Sequence, residues 1–343
     1  MRKFYRCVTM IGCAVALCTA GCSSSGSYQG QMDSLTRSPQ PPVYAENGHQ
    51  GLSSLLQDGD TEFSPLSAVL RRDLHEDSPG VKQAPQGTAF LQSVAGDGAD
   101  GLLVAFNIDG SETPIHFPAN SRSTDPRYPG ISHYYYLQGD AGAFRYFWPW
   151  TGTDEDSRFD YLDLYGWSVG WPPAEYSGYS TIGLRTPIRN LPIGSAVYRG
   201  IMKAEMWDSD KPQWDTQASI EGISFLRADF DEGRITGNIG DLRVGPIFGD
   251  RSAHQALAAG NRIDISGTMH KDGRFTAEWV GSGPEPDAEF PLTMRGFAGA
   301  AVGDLYGPGG QEIGGVLSGK RGARDANPEQ FLIGVIGASQ ADS

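Results

Sequence analysis

The chain has 343 residues and a formal net charge of -14, from 27 Lys and Arg against 41 Asp and Glu; this argues against nucleic acid as a partner and against docking on anionic lipid through a basic patch. All four cysteines lie in the first 22 residues, so a chain processed there has no disulfide and is held by burial. With 46 glycines, 22 prolines and 10% aromatic residues, the composition suits short strands joined by tight turns, and the length suffices for two modest cores.

Arg2, Lys3 and Arg6 precede a short apolar stretch from Val8 to Leu17, and Thr19, Ala20 and Gly21 lead into Cys22. That order is the order of an export signal. The apolar stretch is about half of the ~20 residues that a membrane-spanning helix needs. The run Leu17-Cys18-Thr19-Ala20-Gly21-Cys22 resembles a bacterial lipobox, with Thr19 where leucine is commonest. The resemblance implies a lipoprotein signal peptide over 1–21, a diacylglycerol on the Cys22 sulfur and an acyl chain such as palmitate on its freed amine; the plain alternative is a cleaved leader with an incidental cysteine. More than one chain on one residue anchors stably, at ~0.8 kcal/mol per buried methylene. Ser23 stands where an inner-membrane retention signal would carry Asp, which favours the outer membrane.

Residues 22–51 are rich in Ser, Gly, Gln and Pro without apolar period and read as a flexible tether. Over 52–87, Ser64-Pro65 followed by Leu66, Val69, Leu70 and Leu74 predicts a short helix, then a breaker-rich linker from Glu76 to Gly87. From Thr88 the period changes to two. Thr88–Ala95 and Leu102–Ile108 flank a Gly/Asp-rich turn, and an aromatic block follows: His133–Tyr136, Phe144–Trp150 and Tyr161–Trp171. Residues 88–192 therefore read as a β-rich handle domain with packed rings, bounded by Leu191-Pro192.

The remainder, 193–340, contains hairpins legible one by one. Phe225–Phe230 turns at Asp231-Glu232-Gly233 into Ile235, Gly237 and Ile239; Ile263, Ile265 and Gly267 turn at Lys271-Asp272-Gly273 into Phe275, Ala277 and Trp279. About eight such runs predict an all-β, eight-stranded antiparallel up-and-down barrel, whose closure removes exposed edges. No helix-length apolar period appears in this half, against an α/β enzyme.

Near the C-terminus, Leu305-Tyr306 ends a strand, Gly307-Pro308 turns, Pro308 to Glu312 suits one helical turn, and Gly314-Gly315 lets backbones approach closely. Glu312 is placed to accept backbone hydrogen bonds in this corner. The stretch Tyr306, Gly307, Pro308, Glu312, Gly314 and Gly315 resembles the barrel corner of the transferrin-binding protein B superfamily of surface lipoproteins, with Gly310 where alanine is common and Leu317 where an aromatic is frequent. Leu191–Gly200 is similar to that family's first barrel strand, and Leu226–Phe230 with Gly233 and Gly237 to a following hairpin. The resemblance implies a single-lobe member with handle and barrel. It does not imply transferrin, because such members bind diverse partners.

Chemistry is sparse. His133 lies beside three tyrosines and His270 beside Lys271 and Asp272, but there is no Gly-x-Ser-x-Gly elbow, no His-Glu-x-x-His and no phosphate-cradling loop. No catalytic residue, metal site or cofactor is expected. Asp154, Glu155, Asp156, Asp160 and Asp163 lack the full EF-hand pattern and read as a solvated loop rather than a calcium site. Trp207 and Trp214 flank a polar segment between the first two barrel strands and are the candidate ligand-binding anchors, with plugging of the barrel mouth as the alternative. The expectation is a non-enzymatic outer-membrane or cell-surface lipoprotein that captures a macromolecular or solute ligand through barrel loops. The family likeness adds iron or nutrient acquisition, with an outer-membrane transporter as a partner. The alternatives are an envelope-structural or adhesive lipoprotein, and an exported hydrolase.

Overall fold

The computed structural model describes residues 62–63, 66–73, 81–84, 89–96, 102–117, 122–123, 131–136, 142–147, 159–171, 174–209, 218–246, 254–285, 292–322 and 329–341. The N-terminal half carries β1 (Glu62–Phe63), β2 (Leu66–Asp73), β3 (Val81–Gln83), β4 (Ala89–Gly96), β5 (Leu102–Ile108), β6 (Ser111–Phe117), β7 (Arg122–Ser123), β8 (Ile131–Tyr136), β9 (Gly142–Phe147), β10 (Leu162–Trp171) and β11 (Ala174–Arg185). A linker with a 3-10 turn at Ile188–Asn190 leads to β12 (Ser195–Asp208), β13 (Ala218–Asp229), β14 (Arg234–Pro246), β15 (Gln255–Ala256), β16 (Arg262–Met269), β17 (Arg274–Ser282), β18 (Ala298–Tyr306), β19 (Glu312–Arg321) and β20 (Gln330–Gln340).

Eight of the later strands form the expected barrel. β12, β13, β14, β16, β17, β18, β19 and β20 pair antiparallel in succession, and β20 pairs back onto β12 from Tyr198↔Gln340 to Asp208↔Gln330. The alternation that predicted them decides which face is which: on β17, Phe275, Ala277 and Trp279 are buried in the interior while Arg274, Thr276, Glu278 and Val280 are exposed. Tyr198, Met202, Met206, Leu305, Leu317 and Ile336 fill the same interior. The lumen is therefore a packed core. Exposed Arg227, Arg243, Arg262 and Glu278 on the outside invert the apolar-out pattern of a bilayer-spanning barrel, so this barrel is built for water.

The handle is an antiparallel sheet in the order β7-β8-β9-β10-β11-β2-β3, covered on one face by the meander β4-β5-β6. Along β10, Tyr165, Trp167 and Val169 pack toward the meander, and Leu162 and Leu164 toward the barrel wall. Phe106 meets Trp167 edge to face at 5.0 Å, and the Trp167 indole N–H donates to Ser180 Oγ at 2.8 Å.

Two expectations are corrected here. The predicted helix at 64–74 is the strand β2, paired with β11 from Leu66↔Thr181 to Asp73↔Ala174. Its apolar residues mimic a helical stripe because both faces of the strand are buried, Val69 under the meander and Ala68 and Leu70 against the barrel. The stretch expected as a linker, 76–87, contributes β3 to the same sheet, so the handle sheet takes in residues upstream of 88.

Candidate functional site

The two ends of the barrel differ. At one end, strands are joined by the tight turns 230–233, 270–273 and 307–311; at the other, by the longer segments 209–217, 247–261, 283–297 and 322–329. The short-turn end is fastened to the handle. The long-loop end is where a scaffold of this kind can present variable sequence.

The corner motif explains the fastening. Tyr306 is fully buried between handle and barrel, with its hydroxyl 3.3 Å from Thr181 Oγ1. Gly307 has a φ of 86°, open to glycine at little cost, and its N–H donates to the Leu184 carbonyl at 2.8 Å. Residues 307–310 form a tight turn rather than the expected helical turn, with Gly310 N–H donating to the Gly307 carbonyl. A Cβ on Gly315 would meet the Val302 carbonyl oxygen at 2.4 Å, and one on Gly314 would touch Leu162 and Tyr306. The Tyr198 hydroxyl rises from the barrel interior to the Gly310 carbonyl at 2.8 Å. Pro308 stays exposed on the turn.

Glu312 finds its partners in the handle, not in its own corner. Its carboxylate accepts the backbone N–H groups of Asp160 and Tyr161, at 2.5 and 3.0 Å, where the chain enters β10. Burial pushes its carboxyl up to about 8 against the opposing pull of these N–H groups. Asp163 is driven well above the usual range by burial, opposed by the Tyr165 hydroxyl that it accepts at 2.9 Å and helped by the charge of Glu312. Nearby, Arg185 at the end of β11 donates to Asp304 at 3.2 Å and to the Asp272 carbonyl at 2.7 Å, and pairs with the Asp272 carboxylate at 3.1 Å. Glu312 and Asp304 thus join handle to barrel, while Asp163 is held within the handle by Tyr165.

At the opposite end the described bases of the long loops are pinned. Asn261 accepts the Met294 N–H at 2.7 Å and the Thr293 hydroxyl at 3.1 Å, and donates to the Ala258 carbonyl. Arg321 lies 4.7 Å from the centre of the Phe297 ring, donates to the Thr293 and Arg295 carbonyls, and bonds Gln330, which in turn donates to Asp208. Met294 and Phe297 are fully buried and close this mouth of the barrel. His254 fills the space over Gly245, its Nδ1 3.6 Å from Glu221 Oε1, which Lys203 also engages. The rim is thus a rigid frame.

Trp207 is a correction. It stands on β12 rather than on a loop, is 3% exposed, and belongs to the cluster between barrel wall and handle, so it is neither a free anchor nor a plug of the barrel interior. Both faces of β12 are covered at this level, which hides its alternation from a sequence pattern. Trp214 and Cys22 lie outside the described residues, as do Trp148–Trp150 and Asp154–Asp156. His133 sits in β8 of the handle sheet; His270 is exposed on the β16–β17 turn, its Nε2 3.0 Å from Thr276 Oγ1. Among the described residues no three His, Cys, Asp or Glu side chains converge at metal-ligand spacing.

No protein-family model matches the chain, and no curated protein does. Among solved structures it is similar to transferrin binding protein B from Haemophilus parasuis Hp5, at 12% identity over 81% of this chain and 45% of that one, with a TM-score of 0.40. It is also similar to intact Ap-TbpB with N and C lobes (14%, 80% and 46%, 0.39) and to isotype 1 transferrin binding protein B of serogroup B Neisseria meningitidis (15%, 81% and 44%, 0.38). The chain spans less than half the length of these proteins.

Proposed function

We propose that the chain is a lipid-anchored surface protein of the outer membrane that binds a macromolecular or solute ligand through the long-loop end of its barrel, without catalysis. The observation that carries this reading is the asymmetry of the barrel. One end is sewn to the handle by Glu312, Arg185 and Tyr306, and the other offers four longer segments on bases locked by Asn261 and Arg321. The interior is filled, which leaves a ligand the loops and the outer surface. Buried Asp163, Asp304 and Glu312 are committed to structural bonds, which favours a binding scaffold over a hydrolase. Iron or nutrient acquisition with an outer-membrane transporter as partner follows only from the family likeness of the corner motif.

Two experiments test it. Cys22→Ser is expected to abolish fatty-acid labelling and to release the protein from the membrane fraction; a labelled, membrane-bound variant would refute the anchor. Immobilised protein is expected to retain a saturable ligand from environmental or host fluid, and replacement of 210–217 by a short Gly/Ser turn to weaken retention. Undiminished retention by that variant would move the site away from this loop.

A further inference from the structure

The short-turn end has a property that its fastening role does not require. β1 pairs with the end of β11, Glu62 opposite Arg185 and Phe63 opposite Leu184, so the N-terminal segment meets the fold at this end. Three residues beyond Arg185 the linker presents Ile188, 65% exposed, and five further on Ile193, 90% exposed. Between them the segment is held fast. Leu191 packs over Gly273, where a Cβ would come within 2.8 Å of it, Pro192 lies against Gly310, and the Leu191 N–H donates to the Ile188 carbonyl. Two aliphatic side chains are thereby offered to the outside from a rigid base. Isolated exposed aliphatics are ordinary on a protein surface; these two flank one pinned pair, at the end where the tether joins.

We propose that this end is a membrane-facing foot, with Ile188 and Ile193 seated among the headgroups of the bilayer that holds Cys22, and the long loops turned away from it. The proposal rests on the lipid-anchor reading. Only ~40 residues separate Cys22 from Glu62, so the anchor keeps the foot at high local concentration near the surface, and a contact too weak to bind a free protein suffices. Exposed Arg189, Arg234, Lys271 and Arg274 exceed exposed Asp231 and Glu232 by only two, with part-exposed Asp272 among them, and the chain as a whole carries -14, which suits zwitterionic lipid rather than a strongly anionic surface.

Ile188→Cys, Ile193→Cys and, as control, Val280→Cys test it. Val280 is 55% exposed on the outer wall, on the half of β17 toward the long loops. Each full-length acylated variant carries an environment-sensitive fluorophore at the new thiol and is reconstituted in phosphatidylethanolamine/phosphatidylcholine vesicles containing headgroup-region spin-labelled lipid. Quenching at 188 and 193 at least about twice that at 280 is expected, from side chains reaching the headgroup boundary. Equal quenching at the three sites overturns the foot. Shielding from aqueous iodide at 188 and 193 without quenching by the spin-labelled lipid also overturns it, since a protein would then cover the patch. Mass spectrometry of the same samples separates the two readings: no lipid on Cys22 removes both, whereas lipidated Cys22 with equal quenching removes the foot alone.

Discussion

Replacing Glu312 by Gln changes how the protein's stability depends on pH. In the folded state the carboxyl is pushed up to about 8, and its ordinary value is 4.5. Between these values the folded protein holds a proton that the unfolded chain has lost. Its contribution to stability is therefore fully present below about 4.5 and declines as pH rises through about 8, by up to ~1.4 kcal/mol per pH unit. From pH 5 to pH 8 the loss attributable to Glu312 is at most ~4 kcal/mol, a large part of the stability of an ordinary domain. Asp163 is shifted the same way and adds to the decline, whereas Asp272, which the Arg274 N–H and the Arg185 guanidinium hold low against burial, has its full effect by pH 5. The measurement is urea unfolding at several pH values, followed by the fluorescence of buried Trp167 and Trp279. Wild type is expected to lose stability from pH 5 to pH 8. Glu312→Gln is expected to start lower, by about 1–3 kcal/mol for the N–H group left without an acceptor, and to show a flatter slope. Wild-type stability that is flat or rising over this range, or an unchanged slope in the variant, would refute the reasoning.

Arg185→Met takes away the closer of the two cations beside Asp304, which has no exposed surface, and leaves Arg274 at 3.6 Å; a loss of 3–5 kcal/mol in chemical denaturation is expected, on the order typical for breaking a buried ion pair, with partial recovery in the Arg185→Met/Asp304→Asn double variant. Trp207→Ala is expected to cost ~3–5 kcal/mol of stability, while Trp207→Phe costs much less because the indole N–H makes no hydrogen bond among the described residues; an alanine variant of unchanged stability that lost ligand would restore Trp207 as a contact residue. Gly200→Ala places a Cβ 2.0 Å from the Gly337 carbonyl at the closing pair β12–β20, and a loss of at least ~1–3 kcal/mol with faster amide exchange along β20 is expected.

What was legible in the sequence follows from how many faces of a strand are buried. β13, β16 and β17 have one face inside and one in water, and their alternating residues give them away. β12 alternates only from Ser195 to Gly200; beyond it every residue to Asp208 is buried, because the handle covers the outer face, and Trp207 there was indistinguishable from a residue at a loop edge. β2 lost its pattern in the same way and borrowed that of a helix. The corner motif was readable as a turn, but the partners of Glu312 lie some 150 residues earlier in the chain, at a separation that no local spacing encodes. The locking roles of Asn261 and Arg321 carried no signal at all, since each depends on where a loop returns.

The pairing of β12 with β20 sets a condition on biogenesis. The first staves of the barrel emerge from the ribosome long before the last one exists, and until Gln330–Gln340 arrives β12 and β19 each lack a neighbour along one edge. The barrel therefore cannot close piecemeal as the chain is made. It waits for the eleven residues of β20, and a nonsense codon shortly before them would yield a gaping, sticky half-product rather than a slightly shortened barrel.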